Sequence, residues 1–422
     1  MKLNYKRTFF VGLAFMGISA FWQLYDSIIP LMLQNTFLLS ETLTGTIMAL
    51  DNVLALLLLP LFGTLSDRVD TRLGKRTPFI VGGTSFAVIF MMLVAYANKV
   101  ENFWLFFLAL GITLIAMGTY RSPTVALMPD LTPKPLRSKA NSVINLMGAV
   151  GAIITLGLIS ALLPKVANPD YTLLFAIVAS IMVASVLLLL ITIKERKVSQ
   201  TIEIESELPK EKLEAEKEMA PDVKKSLYFL LTSIFLWFTA YNAITTAFSR
   251  YAGKVWGLVG GGFANALLVA TGAAILSYIP IGIIASKVGR KKTIITGIIM
   301  VTASYFAGYF FKDYSPVINI VFGFTGIGWA AINVNSYPMV VEMSGNTSVG
   351  KYTGLYYFFS MAAQVFTPIF SGFLLQNVSY RILFPYAFIF SVLSLITMFF
   401  VKHGDSKPSK KGSALENFDF DD

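Results

Sequence analysis

Three charges lie deep inside long apolar runs: Asp26, Asp51 and Arg121. Of the chain's 24 acidic residues, those outside the charged stretches 195–222 and 405–422 fall at the ends of apolar runs, except Asp26 and Asp51. A charge at a bilayer centre costs about 2.5–3.5 kcal/mol on insertion scales, so each is expected to face an aqueous cavity or a partner. Trp22 and Asp26, four residues apart with Tyr25 between them, share a helical face and set an aromatic ring beside a carboxylate. Such a pair suits a sugar, whose C–H faces stack on rings while its hydroxyls donate to carboxylates. The alternative for Asp26 is a structural pairing with a neighbouring helix. Arg121 keeps its charge, so it can fork onto hydroxyls or onto a carboxylate ionised at one stage of a cycle; otherwise it is a static ion-pair partner. In the second half, Tyr241, Asn242 and Thr245 form the best polar cluster, with 241 and 245 on one face.

These residues need long apolar helices to position them. The 422 residues are 55% hydrophobic and 14% charged, with a mean hydropathy of +0.67, which contradicts a soluble multidomain protein. Twelve apolar segments, from 9–33 to 380–401, are long enough to cross about 30 Å of hydrocarbon. Lys and Arg gather in alternate short loops, so the net charge of +10 reads as membrane orientation rather than nucleic-acid binding. Both termini are then cytoplasmic. The expected layout is a six-helix bundle over 1–193, a mixed-charge cytoplasmic linker over 194–225, a second bundle over 226–402 and a polar tail over 403–422. The absence of Cys and the single His403 argue against disulfides, metal sites and cysteine chemistry, and no nucleophile or metal constellation suggests an enzyme.

An internal repeat organises the chain. The loop Gly63–Arg76, GTLSDRVDTRLGKR, has a weaker copy at Gly282–Lys292, GIIASKVGRKK. Asp130 precedes Lys139 by nine residues, as Glu342 precedes Lys351. An all-α membrane protein of two six-helix pseudo-repeats follows. Asp67, Arg68, Arg72, Arg76, Asp130, Glu342 and Lys351 are expected to gate it by ion pairs that bridge the two halves in one state and part in the other. Ser286, standing where the first copy has Asp67, makes that gate asymmetric.

The SDR loop with its Gly-Lys-Arg ending, the copy and the six-plus-six layout resemble the major facilitator superfamily. LSDRVDTRLGKRTPFI, RSPTVALMPDLTP from Arg121 and WFTAYNAITTAFSRYA from Trp237 are similar to the glycoside/pentoside/hexuronide cation symporters and the plant sucrose carriers. The resemblance implies that Asp26, in a Tyr-Asp context, binds sugar, and that Arg121 sides with the sucrose carriers. Alignment on Pro60 and Gly63 puts Ala55 and Leu59 where sodium-coupled members have two cation-binding carboxylates. Proton coupling is therefore expected, with Asp51 as the carrier and Asp26 next. The reading is a proton-coupled symporter of a disaccharide or other glycoside working by alternating access. It would be a monomer of the plasma membrane whose partners are lipid, sugar and proton, with no nucleic acid, metal or cofactor. The alternatives are an exporter of another metabolite or drug and a sodium-coupled glycoside symporter. A channel would need pore rings instead of hinge loops.

Overall fold

A computed structural model describes residues 3–132, 137–166, 168–199, 220–343 and 349–405; the side chains of 137–139, 142 and 349–351 also lie outside the description. Most of the linker and the tail beyond 405 are therefore not described. The described chain is helical, with one isolated β-bridge between Thr71 and Gly74. The long helices are α1 (Tyr5–Asn35), α2 (Glu41–Arg68), α3 (Thr77–Lys99), α4 (Phe103–Asp130), α5 (Arg137–Leu162), α6 (Thr172–Thr192), α7 (Pro221–Trp256), α8 (Ala264–Val288), α9 (Arg290–Tyr309), α10 (Ile318–Met343), α11 (Val349–Asn377) and α12 (Leu383–Phe399). Eleven of them are long and apolar enough to cross a membrane by length and composition. The other is α9, which opens on Arg290-Lys291-Lys292.

In hydrocarbon every backbone amide must be bonded within the segment, which makes helices the only open-ended solution. Hydroxyls meet the same demand by bonding back to their own helix. Thr113, Thr124, Thr302 and Thr325 each donate to the carbonyl four residues earlier. Helix ends are closed by side chains: Asn4 accepts from Arg7 N–H and Asn102 from Leu105 N–H, while Gly257, with φ +66°, ends α7 in the left-handed region.

The chain divides into two compact units. Among the described residues, unit 1 lies within 3–39, 50–199 and 259–264, and unit 2 within 40–49, 220–258 and 265–405. In unit 1, α1 packs on α5 and α6, and α3 packs on α4 and α6. In unit 2, α7 packs on α11 and α12, and α9 packs on α10 and α12. Those are the same four pairings with every helix number raised by six, so the packing scheme repeats as the loop sequences do. It also gives α9 the structural place of α3. Small residues allow the close crossings: a Cβ on Gly297 of α9 would stand 2.6 Å from the Gly328 carbonyl oxygen of α10. Helix α2 is shared between the units, its first two turns lying in unit 2 and the remainder in unit 1.

Candidate functional site

Within unit 1, α1, α2 and α4 bring the three intramembrane charges together. Trp22, Asp26, Asp51 and Arg121 are all half-buried. The Arg121 guanidinium carbon stands 5.9 Å from the centre of the Trp22 ring, a cation–π approach. Asp51 lies within electrostatic reach of both Asp26 and Arg121, and its Oδ1 accepts from Asn52 Nδ2 at 2.7 Å. Asp26 makes no hydrogen bond or ion pair among the described residues.

Neighbouring residues fix this geometry. Tyr120 Oη donates to the Ala14 carbonyl at 2.8 Å, tying α4 to α1, and Ser122 Oγ donates to the Leu59 carbonyl at 2.7 Å, tying α4 to α2. Arg121 lies between these two ties. Trp22 is braced edge-on by Phe21 and Tyr25, with centroids 5.1 and 5.5 Å away, and its buried indole N–H has no partner among the described residues. Tyr25 departs from the expectation of a ligand-facing ring. It is 1% exposed and lines a small apolar cavity with Phe21, Leu24 and Phe175, because its position turns it into the bundle instead of along the Trp22–Asp26 face.

Unit 2 carries its own cluster. Tyr241 stacks on Trp329 at 3.6 Å between centroids and 5° between planes, and Phe238 meets the same indole edge-on at 5.3 Å. Asn242 has a buried Nδ2 without a partner among the described residues, while its main-chain carbonyl accepts from Thr245 Oγ1 at 3.3 Å and Thr246 Oγ1 at 2.6 Å. The hydroxyl of Thr245 is thus engaged with its own helix. The Trp329 partnership is invisible in sequence, since 88 positions separate it from Tyr241.

The residues expected to gate take partners within their own units in this structure. Arg76, expected to bridge to the other half, is 6% exposed and spent within unit 1. Its Nε donates to Asp130 at 2.8 Å, its Nη1 to the Gly63 carbonyl at 3.2 Å and to Ser66, and its Nη2 to Asp67. Glu342 likewise pairs with Arg290 inside unit 2. The nine-residue Asp/Lys and Glu/Lys echo therefore does not mark these partners; the Lys139 and Lys351 side chains lie outside the described residues. Arg68 and Arg72 are exposed and make no ion pair among the described residues. Ser286 donates to its own Ile283 carbonyl at 2.7 Å, so the second copy has no counterpart of the Asp67 arm.

Two carboxylates that sequence reasoning assigned to linker and tail turn out to be caps. Glu195, 4% exposed, receives the N–H groups of Lys75, Arg76 and Thr77 at 2.7–2.9 Å and the Thr77 hydroxyl at 2.6 Å, closing the start of α3. Gly74, with φ +120°, lies against that carboxylate, and no side chain would fit there. Asp405 does the same at α9, accepting from Lys291 N–H at 3.0 Å beside Gly289, φ +99°. Each caps the third helix of its repeat from just beyond the sixth. A partial signal existed in both cases, since each is the first acid past a helix end, but it opens an acid-rich stretch in which nothing local singles it out.

A buried ion pair was also missed. In unit 2, Arg250 Nε donates to Glu41 Oε2 at 2.9 Å with the side chains 2% and 5% exposed, and the Tyr380 hydroxyl donates to the other Glu41 oxygen. Thr42 donates its N–H and hydroxyl to Gln376 Oε1 at 3.2 and 2.6 Å. These bonds fasten the first turns of α2 onto α7, α11 and the turn before α12.

Comparison with known proteins agrees with this architecture. The profile of the Major Facilitator Superfamily matches residues 11–278 and 262–419. No curated protein sequence matches the chain. Among solved structures, the transporter FucP of the same superfamily, in its outward conformation, aligns with a TM-score of 0.51 at 14% identity, covering 95% of this chain and 99% of that one, a likeness of fold alone. With two matched segments spanning nearly the whole length and a packing scheme that repeats after six helices, the chain belongs to the major facilitator superfamily, a family of membrane transporters.

Proposed function

We propose that the protein is a secondary active transporter that moves a sugar, a disaccharide or other glycoside, together with a proton by alternating access. The observation that carries this reading is the half-buried cluster of Trp22, Asp26, Asp51 and Arg121, an aromatic ring with a guanidinium over it and two carboxylates, of which Asp51 lies within electrostatic reach of the guanidinium. Trp22 supplies a stacking face and an indole N–H that lacks a partner among the described residues, Asp26 accepts from hydroxyls, and Arg121 forks onto them. Asp51, beside Asp26 and Arg121, is the first proton carrier and Asp26 the second. Within unit 2, Tyr241, Asn242 and Thr245 form a second candidate sugar-binding cluster, with Trp329 stacked on the Tyr241 ring and the Thr245 hydroxyl bonded to its own helix; within unit 1, Tyr25 braces Trp22. Protonation removes a buried charge and lets the loaded carrier turn over, whereas the unprotonated, sugar-bound state is held back by that charge. The membrane potential adds about 2.3 kcal/mol per 100 mV for each charge moved.

The resemblance to the glycoside cation symporters and sucrose carriers supports the substrate class, and Ala55 and Leu59 in α2 support protons over sodium. The bundles 1–193 and 226–402, the cytoplasmic termini and the plasma membrane belong to the same reading. The test is uptake into proteoliposomes across a panel of glycosides under an imposed proton gradient, with a sodium gradient as the comparison. Accumulation driven by protons is expected; accumulation driven by sodium alone, or by neither gradient for any sugar, overturns it.

A further inference from the structure

Helices α3 and α4 approach closely at Gly83, where a Cβ would stand 2.7 Å from Tyr120 N, whereas the neighbouring Gly82 faces open space with nothing within 4 Å. The result is an apolar groove of about 510 Å³ lined by Val69, Pro78, Gly82, Phe86, Ile115 and Thr119 among others. Phe86 and Ile115 on its walls are 60% and 45% exposed. From Pro78 to Phe86 it follows α3 for eight residues, about 12 Å. That is most of the depth of one leaflet's hydrocarbon, about 15 Å.

The groove begins at the charged loop, and there the acids are already matched. Asp67 and Asp130 hold Arg76, and Asp70 faces Arg196 at 3.7 Å. Arg68, Arg72 and Lys75 remain exposed, their side chains without hydrogen bond or ion pair among the described residues. A molecule that satisfies both parts has an apolar chain in the groove and an anionic head at its mouth. An acidic peptide segment would meet the basic residues but has nothing to fill the groove.

We propose that this is a binding site for one anionic phospholipid of the leaflet on the loop side, an acyl chain lying between α3 and α4 and the phosphate among Arg68, Arg72 and Lys75. The head is held by charge-assisted hydrogen bonds that a zwitterionic lipid, with its own cation beside the phosphate, engages less well.

The test is retention of lipid by the full-length protein, reconstituted in vesicles of equal phosphatidylglycerol and phosphatidylcholine, re-extracted and analysed for bound lipid. Phosphatidylglycerol is expected to be enriched about tenfold over phosphatidylcholine at low salt and less at high salt. The combined Arg68→Gln, Arg72→Gln, Lys75→Gln variant is expected to fall to the bulk ratio. Gly82→Leu, which fills the groove from open space, is expected to lose the bound lipid with the basic residues intact, and Ile115→Trp is a second groove filler should the first fold poorly. Unchanged thermal unfolding would show that these variants fold. A wild-type ratio equal to the bulk overturns the site; enrichment lost in the charge variant but kept in both groove fillers overturns the seat for the acyl chain.

Discussion

At the scale of single residues, Asp26 and Asp51 differ in what surrounds them, and different behaviour follows. Asp51 is bonded to Asn52 and lies near two other charges, whereas Asp26 accepts no bond among the described residues. Asp51→Asn is expected to abolish uphill sugar accumulation while leaving sugar exchange without a gradient, read in the same proteoliposomes. Asp26→Asn is expected to weaken sugar binding by about tenfold to a hundredfold, the loss of a charged acceptor. Titration calorimetry with the transported glycoside would check it, and unchanged binding would remove Asp26 from the sugar site. Which charges lie inside the apolar runs could be read from sequence, and a charge there is costly wherever its partner lies. That Arg121 covers Trp22, 99 positions away, could not, since no local rule couples the rotation of α4 to that of α1.

At the scale of elements, carboxylates hold helix starts and helix ends in place. Glu195 satisfies three orphan amides of α3, so Glu195→Ala is expected to destabilise the protein by about 1–3 kcal/mol, visible as a lower unfolding midpoint in detergent. Asp405→Ala, with one amide bond at α9, should cost less. Removing Arg250 leaves Glu41 buried and unpaired, so Arg250→Met is expected to cost about 3–5 kcal/mol. Combining it with Glu41→Gln should restore much of the loss, and failure of that rescue would show that packing rather than charge dominates there. Helix existence and approximate span were legible from apolar length alone; the span expected at 380–401, for instance, is α12 at Leu383–Phe399. The pairings of Arg76 and Glu342 were not, because many acids lie within reach of any basic loop in sequence and the fold selects among them by distance.

For the whole molecule, the repeated packing scheme makes a statement about topology. If α9 crosses the membrane as its counterpart α3 does, the number of crossings is even and both termini share a side. The chain has no native cysteine, so single cysteines introduced at residues 3 and 404 would be the only thiols available to a membrane-impermeant reagent. Equal reactivity from one side of the membrane is expected. Labelling from opposite sides would mean that α9, the helix falling short in apolar length, does not cross.

The sequence by itself determined that the chain lies in a membrane, that it is built as two diverged six-helix repeats, and that three charges lie deep inside its apolar runs. Hydrocarbon imposes a length and a polarity on every crossing segment, and those are one-dimensional properties that a sequence displays directly. Only the tertiary structure decided that Arg76 is spent within its own unit, that Glu195 and Asp405 cap helices instead of floating in linker and tail, that Trp329 backs Tyr241, and that Glu41 is buried against Arg250. Each depends on which helix faces which, at what height and rotation. Packing between distant segments settles that, through close approaches at small residues and the need to pair every buried charge.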